Sequence, residues 1–335
     1  MIGVRIADGG KRKRLEREQS ENLGGNNMEK YIFGVDLGGT TVKLGLFCQE
    51  EVVEKWEIPT RKEENGKYVL EDIAQAILEK IKEKKIEKEV IGIGIGVPGP
   101  VREDGVVKGC VNIGWGEINV AEELGKKTGY PVKAGNDANV AALGELWQGG
   151  GKGFQNLVMV TLGTGVGGGI ILNGKILAGT NGAAGEIGHM PVVYDETECC
   201  NCGKKGCLEQ VASASGIVKE MKKILEASDK ESILRGRQIS AKAVFDAIKE
   251  GDALALEAGE RLGKYLGIAL AHISAVVDPE IVVIGGGVSK AGNVLIELVQ
   301  KYYIEKAFLP SRGVKFALAT LENDAGIYGA AKLLL

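Results

Sequence analysis

Residues 186–209 hold four of the six cysteines of the chain, one of its two histidines and a carboxylate at each end, Glu186 and Glu209. Thiolate and imidazole are ligands that suit zinc, and four of them close a tetrahedral shell. A closed shell leaves no position for water, so we expect a structural Zn²⁺ that holds the two carboxylates on a rigid base, with the chemistry beside the metal. The predicted ligands are His189, Cys200, Cys202 and Cys207.

Two other interpretations of these cysteines are a disulfide-linked hairpin and a set of free buried thiols. Disulfides are typical of oxidising compartments and small cores, whereas this sequence shows no secretion signal and is long enough for a large core. The pattern therefore favours zinc. Cys199 and Cys200 are adjacent, so one of them is left out, and the compact spacing from Cys200 to Cys207 favours Cys200 as the ligand.

Asn136 and Asp137 lie where a predicted strand meets a predicted helix over residues 138–147. Aspartate is a preferred N-cap, and position alone favours that role for Asp137. A carboxylate at the end of a strand in a cleft is also well placed to be a general base. The pattern leaves both roles open.

Two glycine-rich turns each join a pair of predicted strands and leave backbone N–H groups unobstructed, which suits a phosphate. Asp36 precedes the first turn, where a carboxylate could hold Mg²⁺ through water. Plain hairpins are the alternative, but the repeated strand–turn–strand unit favours two related domains that present N–H groups to one polyphosphate. The turns contain Gly38, Gly39, Thr40 and Thr41 in the first, and Gly163, Thr164 and Gly165 in the second.

A third turn, Gly285, Gly286 and Gly287, follows another predicted strand. Its small residues would let a flat ring such as adenine lie against the backbone. Neither of the first two turns leads from a strand into a helix, as a Rossmann site requires. The apolar spacing also predicts helices over residues 118–128 and 253–277.

With 335 residues, 44% of them hydrophobic and 26% charged, the sequence predicts two domains. Its formal net charge of −3 does not favour nucleic acid or an anionic membrane as a partner. No apolar run reaches the length of a membrane span, and no signal peptide is evident, so we expect a cytoplasmic protein. Residues 1–27 are polar and basic, and they predict a disordered N-terminal extension.

From about Lys30 to its end, the chain resembles the ROK family (repressor, open reading frame, kinase), and within it the bacterial ATP-dependent glucokinases. Four segments in order carry the resemblance. They are DLGGT at 36–40, Asn136-Asp137, LGTG at 162–165, and EIGH at 186–189 running into CNCGKKGCLE at 200–209. The last of these is highly specific, whereas the glycine turns alone are not.

The resemblance implies an α/β fold of two actin-like (ribonuclease H-like) ATPase domains with an interdomain cleft. It places a smaller N-terminal domain at residues 28–137 plus 323–335, with the final helix packing back on it. The larger domain would comprise residues 138–322 and contain the zinc loop at 186–209.

The resemblance also implies roles for individual residues. Asp137 matches a catalytic base that takes the proton from the O6 hydroxyl of a sugar, and Asn136, Asp137, Glu186, His189 and Glu209 match sugar-binding residues. His189 would place one ring nitrogen on zinc and the other on the sugar. The nucleotide site, with Mg²⁺ near Asp36, would comprise Asp36, Gly38, Gly39, Thr40, Thr41, Lys43, Gly163, Thr164, Gly165, Gly285, Gly286 and Gly287.

The function implied is transfer of the γ-phosphate of ATP to D-glucose, with a homodimer or higher homo-oligomer expected. A kinase of N-acetylmannosamine, N-acetylglucosamine or fructose is the nearby alternative. A sugar-responsive transcription repressor is an alternative of another class, but such proteins carry a helix-turn-helix ahead of the sugar domain. Residues 1–27 are too short and too polar to form one.

Overall fold

The computed structural model describes residues 29–110 and 112–335. The predicted disordered extension at 1–27 lies outside these residues. The strands are β1 (Tyr31–Leu37), β2 (Thr41–Cys48), β3 (Glu51–Pro59), β4 (Val90–Val97), β5 (Val106–Val107), β6 (Ile118–Asn119), β7 (Val132–Asn136), β8 (Leu157–Leu162), β9 (Val166–Leu172), β10 (Lys175–Ile176), β11 (Ile281–Gly285) and β12 (Lys315–Leu318).

The helices lie between these strands along the chain, and the last one follows the final strand. They are α1 (Glu63–Gly66), α2 (Val69–Lys84), α3 (Val120–Thr128), α4 (Asp137–Gln148), α5 (Glu209–Ala212), α6 (Ala214–Ala227), α7 (Ala241–Lys249), α8 (Ala253–Val277), α9 (Asn293–Lys306) and α10 (Ala325–Lys332). Four 3₁₀ turns lie at Ile187–His189, Gly287–Ala291, Leu309–Gly313 and Glu322–Asp324.

Two five-stranded sheets share one topology, which confirms the repeat expected from the two glycine turns. The first has the order β3-β2-β1-β4-β7 and the second β10-β9-β8-β11-β12. In each sheet, three strands form an antiparallel meander. A fourth strand pairs in parallel with the first strand of the meander, and a fifth strand pairs in parallel with the fourth. The parallel strands β4 and β11 are almost wholly buried, as expected for strands covered by helices on both faces.

Each sheet has its own hydrophobic core. Helices α2 and α3 cover the first sheet, while α6, α7, α8 and α9 build the larger core beside the second. All strands of the first sheet come from residues 31–136, and all strands of the second from 157–318. The boundaries at 137 and 323 agree with this division and stay a prediction.

The last helix, α10, returns to the first sheet and packs against β1, β4 and α4. Glycines lie where the backbone of α10 comes closest to the first sheet and to α4. A Cβ on Gly94 would overlap the carbonyl of Ala330, and a Cβ on Gly329 would overlap the carbonyl of Val140. Glycine permits this approach because it has no Cβ, so helix and sheet meet backbone to backbone.

Glu145 of α4 is fully buried, and its carboxylate fixes the segment that leads from β12 to α10. It accepts hydrogen bonds from the N–H groups of Gly150, Thr320 and Leu321 at 2.7, 3.1 and 2.9 Å. Three donors satisfy the buried charge, which would otherwise be costly. The segment that leads into α10 is thereby anchored to α4.

The predicted helix over residues 118–128 is wrong at its start, because β6 pairs with β5 there. The helix begins at Val120, and Asn119 caps it by accepting from Glu122 N at 3.0 Å. The long helix at 253–277 is confirmed. Among the residues that the structure describes, no helix combines the length and apolar character that crossing a membrane needs.

Replacing Gly329 by alanine should destabilise the fold, because the backbone at Val140 cannot move away from the new methyl group. Overpacking of this kind costs about 2–3 kcal/mol. Urea unfolding followed by tryptophan fluorescence measures it, since Trp147 lies 6.1 Å from the ring of Tyr328 on α10. The control is Gly313→Ala, where a Cβ would meet nothing within 4 Å. Equal unfolding midpoints for the two variants would contradict the proposed packing constraint.

Candidate functional site

A cavity of about 660 Å³ lies between the two sheets and is lined by residues of both. It brings together five of the predicted site residues, which come from β1, β2, α4 and the turn after β11. Those five are Asp36, Lys43, Asp137, Gly286 and Gly287. The cavity therefore joins the predicted general base to two of the predicted nucleotide-binding segments.

Asp137 is the first residue of α4, and the N-cap is its neighbour Asn136. The side chain of Asn136 accepts from Asn139 N at 3.1 Å and donates to Gly99 O and to Asp137 Oδ1 at 3.0 and 2.9 Å. The expectation from position alone, that Asp137 is the cap, is therefore wrong. Asn136 satisfies the helix end, so the carboxylate of Asp137 is left for another role.

One oxygen of the Asp137 carboxylate is engaged and the other faces no donor. Oδ1 accepts from Ala138 N at 2.8 Å and from Asn136, whereas Oδ2 has no hydrogen-bond partner among the described residues. Burial raises the pKa of Asp137, and the charge of Glu186 raises it further. A carboxylate with a raised pKa and a free oxygen is a stronger base than an exposed aspartate.

Asp36 is the penultimate residue of β1 and is the second carboxylate of the cavity. Burial first, and then the charge of Asp137, raise the pKa of Asp36 to about 6, while Lys43 acts in the opposite direction. Lys43 also donates to the carbonyl of Asn323 at 3.0 Å. Two neighbouring half-buried carboxylates create the negative potential that a divalent cation would neutralise.

The first glycine turn is tied to the end of β3. Gly38 N donates to Thr41 O at 3.1 Å, and Thr60 reaches both sides of the turn, donating from its N–H to Thr40 O at 2.9 Å and from its hydroxyl to Gly38 O at 2.8 Å. Thr60 was not singled out in the sequence, because strand β3 alternates exposed and half-buried residues without a motif. The contact was therefore visible only in the structure.

The second glycine turn connects to the cysteine loop through Glu209. The carboxylate of Glu209 accepts from Val166 N at 3.0 Å through Oε2, and its Oε1 lies 3.7 Å from Cys200 Sγ. A Cβ on Gly165 would overlap the same carboxylate, so a larger residue there would displace the side chain of Glu209. Glu209 thus links the predicted phosphate turn to the predicted metal site.

The structure gathers the four predicted zinc ligands and leaves Cys199 outside the group. All four ligand atoms lie within 4.8 Å of one another. Cys202 Sγ and Cys207 Sγ are 3.6 Å apart, and Cys200 Sγ is 3.9 Å from His189 Nδ1. The cluster consists of His189, Cys200, Cys202 and Cys207, and it could hold a metal ion.

These separations fit a tetrahedral ion. With Zn–S near 2.3 Å and Zn–N near 2.0–2.1 Å, tetrahedral geometry places neighbouring ligand atoms about 3.5–3.8 Å apart. A disulfide, in contrast, requires sulfur atoms about 2.05 Å apart. All six cysteines of the described residues are free thiols. The donor set and its spacing therefore fit zinc, and the disulfide alternative does not describe this loop.

His189 presents its two ring nitrogens to different groups. Nδ1 faces the sulfur of Cys200, while Nε2 lies 3.9 Å from Glu186 Oε2. The side chains of His189 and Glu186 remain 34% and 49% exposed. Both groups can therefore be reached by a ligand from the side opposite the cysteines.

The 660 Å³ cavity is not lined by the first two glycine turns, nor by Asn136, Glu186, His189, Glu209 or Gly285. Thr164 lines a separate cavity of about 640 Å³ beside α6, where Lys219, Lys222 and Lys223 also lie. Asn136 lines a third cavity of about 500 Å³ at the back of the two sheets. Gly285 is buried at the end of β11, although the rest of its turn faces the cleft, where Ser289 donates to Gly286 O at 2.7 Å.

Comparisons with known proteins give a consistent result. The model of the ROK family matches residues 32–335. A glucokinase of Halalkalibacterium halodurans is 44% identical, over 91% of this chain and 95% of that protein. A ROK family glucokinase from Streptomyces griseus, solved in complex with glucose and AMPPNP, is 31% identical with a TM-score of 0.68, over 90% of this chain and 98% of that one. A xylose repressor of Caldicellulosiruptor bescii is 28% identical, over 91% of this chain and 78% of that protein.

The predicted fold class agrees with these matches. The mixed α/β architecture with its repeated sheet is that of actin-like ATPases, and the ROK structures share it over nine-tenths of the chain. The sugar, nucleotide and metal roles of individual residues stay predictions.

Replacing Cys202 by serine should release the metal, because a hydroxyl is a much poorer zinc ligand than a thiolate. We expect zinc content to fall from about one ion per chain to a small fraction of that, with a loss of sugar affinity as His189 and Glu209 lose their anchor. Elemental analysis and calorimetric titration measure the two effects. Cys199→Ser is the matched control and should keep its zinc. Equal zinc in both variants would rule out this ligand set.

Replacing Asp36 by asparagine should stabilise the protein at pH 7.5 in the absence of Mg²⁺. The folded pKa of about 6 lies above the ordinary value of 3.8, so folding opposes ionisation of Asp36. The penalty is small below pH 4, grows between pH 4 and 6, and levels off above pH 6 at on the order of 3 kcal/mol.

Denaturant unfolding of Asp36→Asn and wild type at pH 5.0 and pH 7.5 tests this difference. The exposed Asp229 provides the control, Asp229→Asn, whose stability should follow the wild type at both pH values. A stability gain for Asp36→Asn that is as large at pH 5.0 as at pH 7.5 would show that the buried charge is not its cause.

Proposed function

The chain belongs to the ROK family, and on that premise we propose that it is a kinase that transfers the γ-phosphate of ATP to the O6 hydroxyl of D-glucose. The products are glucose 6-phosphate and ADP. The observation that carries the proposal is the free oxygen of Asp137 inside a cavity shared with Asp36, Lys43 and the third glycine turn. The similarity to glucokinases over nearly the whole chain supports glucose as the acceptor.

The geometry supports a direct transfer. O6–H donates to the free carboxylate oxygen of Asp137, which takes the proton as O6 bonds to the γ-phosphorus. The bond from that phosphorus to the bridging oxygen breaks, and its electron pair leaves on ADP. Phosphoryl transfer has a loose transition state, so alignment and charge stabilisation supply most of the catalysis. One base then suffices.

The remaining predicted residues hold the acceptor. A sugar hydroxyl both donates and accepts, so carboxylates and an imidazole on fixed elements recognise it. Glu186 and His189 lie within 3.9 Å of each other, and Glu209 is held by Val166 N. We propose that these three side chains bind the sugar hydroxyls. Asn136 acts through Asp137, since both ends of its amide are already bonded within the protein.

Two metal ions belong to the proposal. Asp36 would hold Mg²⁺ with ATP, and the ion supplies positive charge to the phosphate oxygens when bound. His189, Cys200, Cys202 and Cys207 would hold a structural Zn²⁺ that stiffens the loop carrying Glu186 and Glu209. We also propose a cytoplasmic location, in keeping with six free cysteines, and a homodimer or higher homo-oligomer.

Other acceptors are the nearby alternative, and the less similar repressor is the alternative of another class. A coupled assay of ADP release ranks kcat/KM for glucose, fructose, N-acetylglucosamine and N-acetylmannosamine. A higher kcat/KM with an amino sugar would replace glucose as the substrate. Absence of turnover with every sugar, together with tight and salt-sensitive binding to a defined DNA site, would favour the repressor.

Replacing Asp137 by asparagine should lower kcat for glucose by roughly 10²–10⁴-fold, because the amide cannot take the proton from O6. Glucose binding, measured by calorimetric titration, should change little, since the other hydroxyl-binding groups remain. Asp229→Asn, which alters an exposed carboxylate, serves as the control and should keep its kcat. A nearly normal kcat in Asp137→Asn would leave Asp137 without the role of base.

A further inference from the structure

Lys62 lies against the first glycine turn, a contact that no sequence motif predicts. A Cβ on Gly39 would lie 3.4 Å from Lys62 Nζ and 4.0 Å from Lys62 Cε. The ammonium group therefore stands over the segment whose N–H groups are predicted to face a phosphate. The residue is exposed, so a ligand bound at the turn can reach it.

The position of Lys62 is fixed by the backbone on both sides of it. Thr60 bonds to Thr40 O and Gly38 O, so the chain leaves β3 in contact with the turn. Gly66 N donates to Lys62 O at 3.1 Å, which closes a helical turn directly after it. The segment from Thr60 to Gly66 thus places the backbone of Lys62 beside the first glycine turn.

Among the described residues, Lys62 has no carboxylate partner, in contrast with the cations around it. Arg61, its neighbour, forms a two-point contact with Asp72 and lies 4.8 Å from the ring centre of Tyr68. The charge of Lys43 lowers the pKa of Asp36, and its ammonium group donates to Asn323 O. A phosphate bound at the turn could therefore neutralise the charge of Lys62.

The loop that contains Cys110 lies near both Lys62 and the proposed base. Burial raises the pKa of the Cys110 thiol, the charge of Asp137 raises it further, and the charge of Lys62 lowers it. Cys110 belongs to the loop that contacts the Lys62 segment, where the indole of Trp115 donates to Gly66 O at 3.0 Å. A phosphate bound at the first glycine turn would lie beside the ammonium group.

We propose that Lys62 binds the γ-phosphate of ATP and stabilises its negative charge during transfer to the sugar. This inference rests on the proposed kinase function and adds a catalytic residue to it. The ammonium group donates to a non-bridging γ-phosphate oxygen. It stays protonated while the O6 proton passes to Asp137, the O6–P bond forms and the electron pair of the breaking P–O bond leaves on ADP. A lysine acts here as a compact charge with three donors.

The test compares Lys62→Met with the wild type, because methionine keeps the length of the side chain and removes its charge. We expect kcat for glucose to fall roughly 10²–10³-fold, the loss typical for one preorganised donor at a reacting group. KM for glucose should change less than about threefold, because the ammonium group does not touch the sugar. Lys62→Arg should recover part of the kcat. Lys67→Met is the control, since Lys67 lies one helical turn away and pairs with Glu64 on the surface.

A second measurement separates this role from a structural one. Lys62→Met should bind a non-hydrolysable ATP analogue more weakly than the wild type does, and ADP with equal affinity, because only the analogue carries a γ-phosphate. Unchanged kcat, or equal losses for ADP and the analogue, would overturn the proposal. A wild type that turns over no sugar would refute the proposed function instead, and the comparison of the analogue with ADP would still decide whether Lys62 binds a γ-phosphate.

Discussion

The close packing of α10 against α4 is the constraint on which the rest of the site depends. Asp137 begins α4, and Gly326 of α10 lies directly beneath Asp36, where a larger residue would collide with the carboxylate. Because the two helices meet backbone to backbone, the ends of β1 and β7 are held close to each other. The last helix of the chain therefore determines the distance between two carboxylates that lie about a hundred residues apart in sequence. Glu145 anchors the same crossing from the other end.

The cavity holds two carboxylates that repel each other, and the proposed reaction would use this repulsion. Two carboxylates share a buried space, and burial raises the pKa of both. A fold selected for stability alone would not place them together, because each like charge disfavours ionisation of the other. A cation held with ATP would relieve the repulsion at Asp36 and leave Asp137 as the base. Nucleotide binding at Asp36 and the protonation of the base Asp137 would then be coupled electrostatically.

The cysteine loop, if it holds the proposed structural ion, would act on the chemistry without taking part in it. Its four ligands come from a 3₁₀ turn and an irregular segment, which regular hydrogen bonding alone would hold loosely. Glu186 and Glu209 lie at the two ends of this segment, and Glu209 extends the connection to the second glycine turn through Val166 N. An ion in the cluster would thus stiffen the sugar side and the phosphate side of the cleft at once.

Much of this site could be predicted from the sequence, because its motifs are local. The glycine turns, the Asn136-Asp137 junction and the Cys-Asn-Cys-Gly knuckle are each contained in a few consecutive residues, and their chemistry follows from residue type and spacing. The repetition of one turn motif also predicted two related sheets, since the same local pattern folds in the same local way. The choice of Cys200 over Cys199 agrees with the cluster for the same reason.

Contacts between distant segments were decided only by the tertiary structure. The sequence favoured Asp137 as a helix cap, but Asn136 occupies that position because its amide can also reach Gly99, which lies on another strand-end loop. The first two residues of the predicted helix at 118 pair with β5, because a strand partner outweighs weak helical periodicity over two residues. Lys62 meets the glycine turn through the hydrogen bonds of Thr60, and no spacing in the sequence encodes that meeting. Residue type fixes which groups can react, whereas the packing of α10 fixes which of them meet.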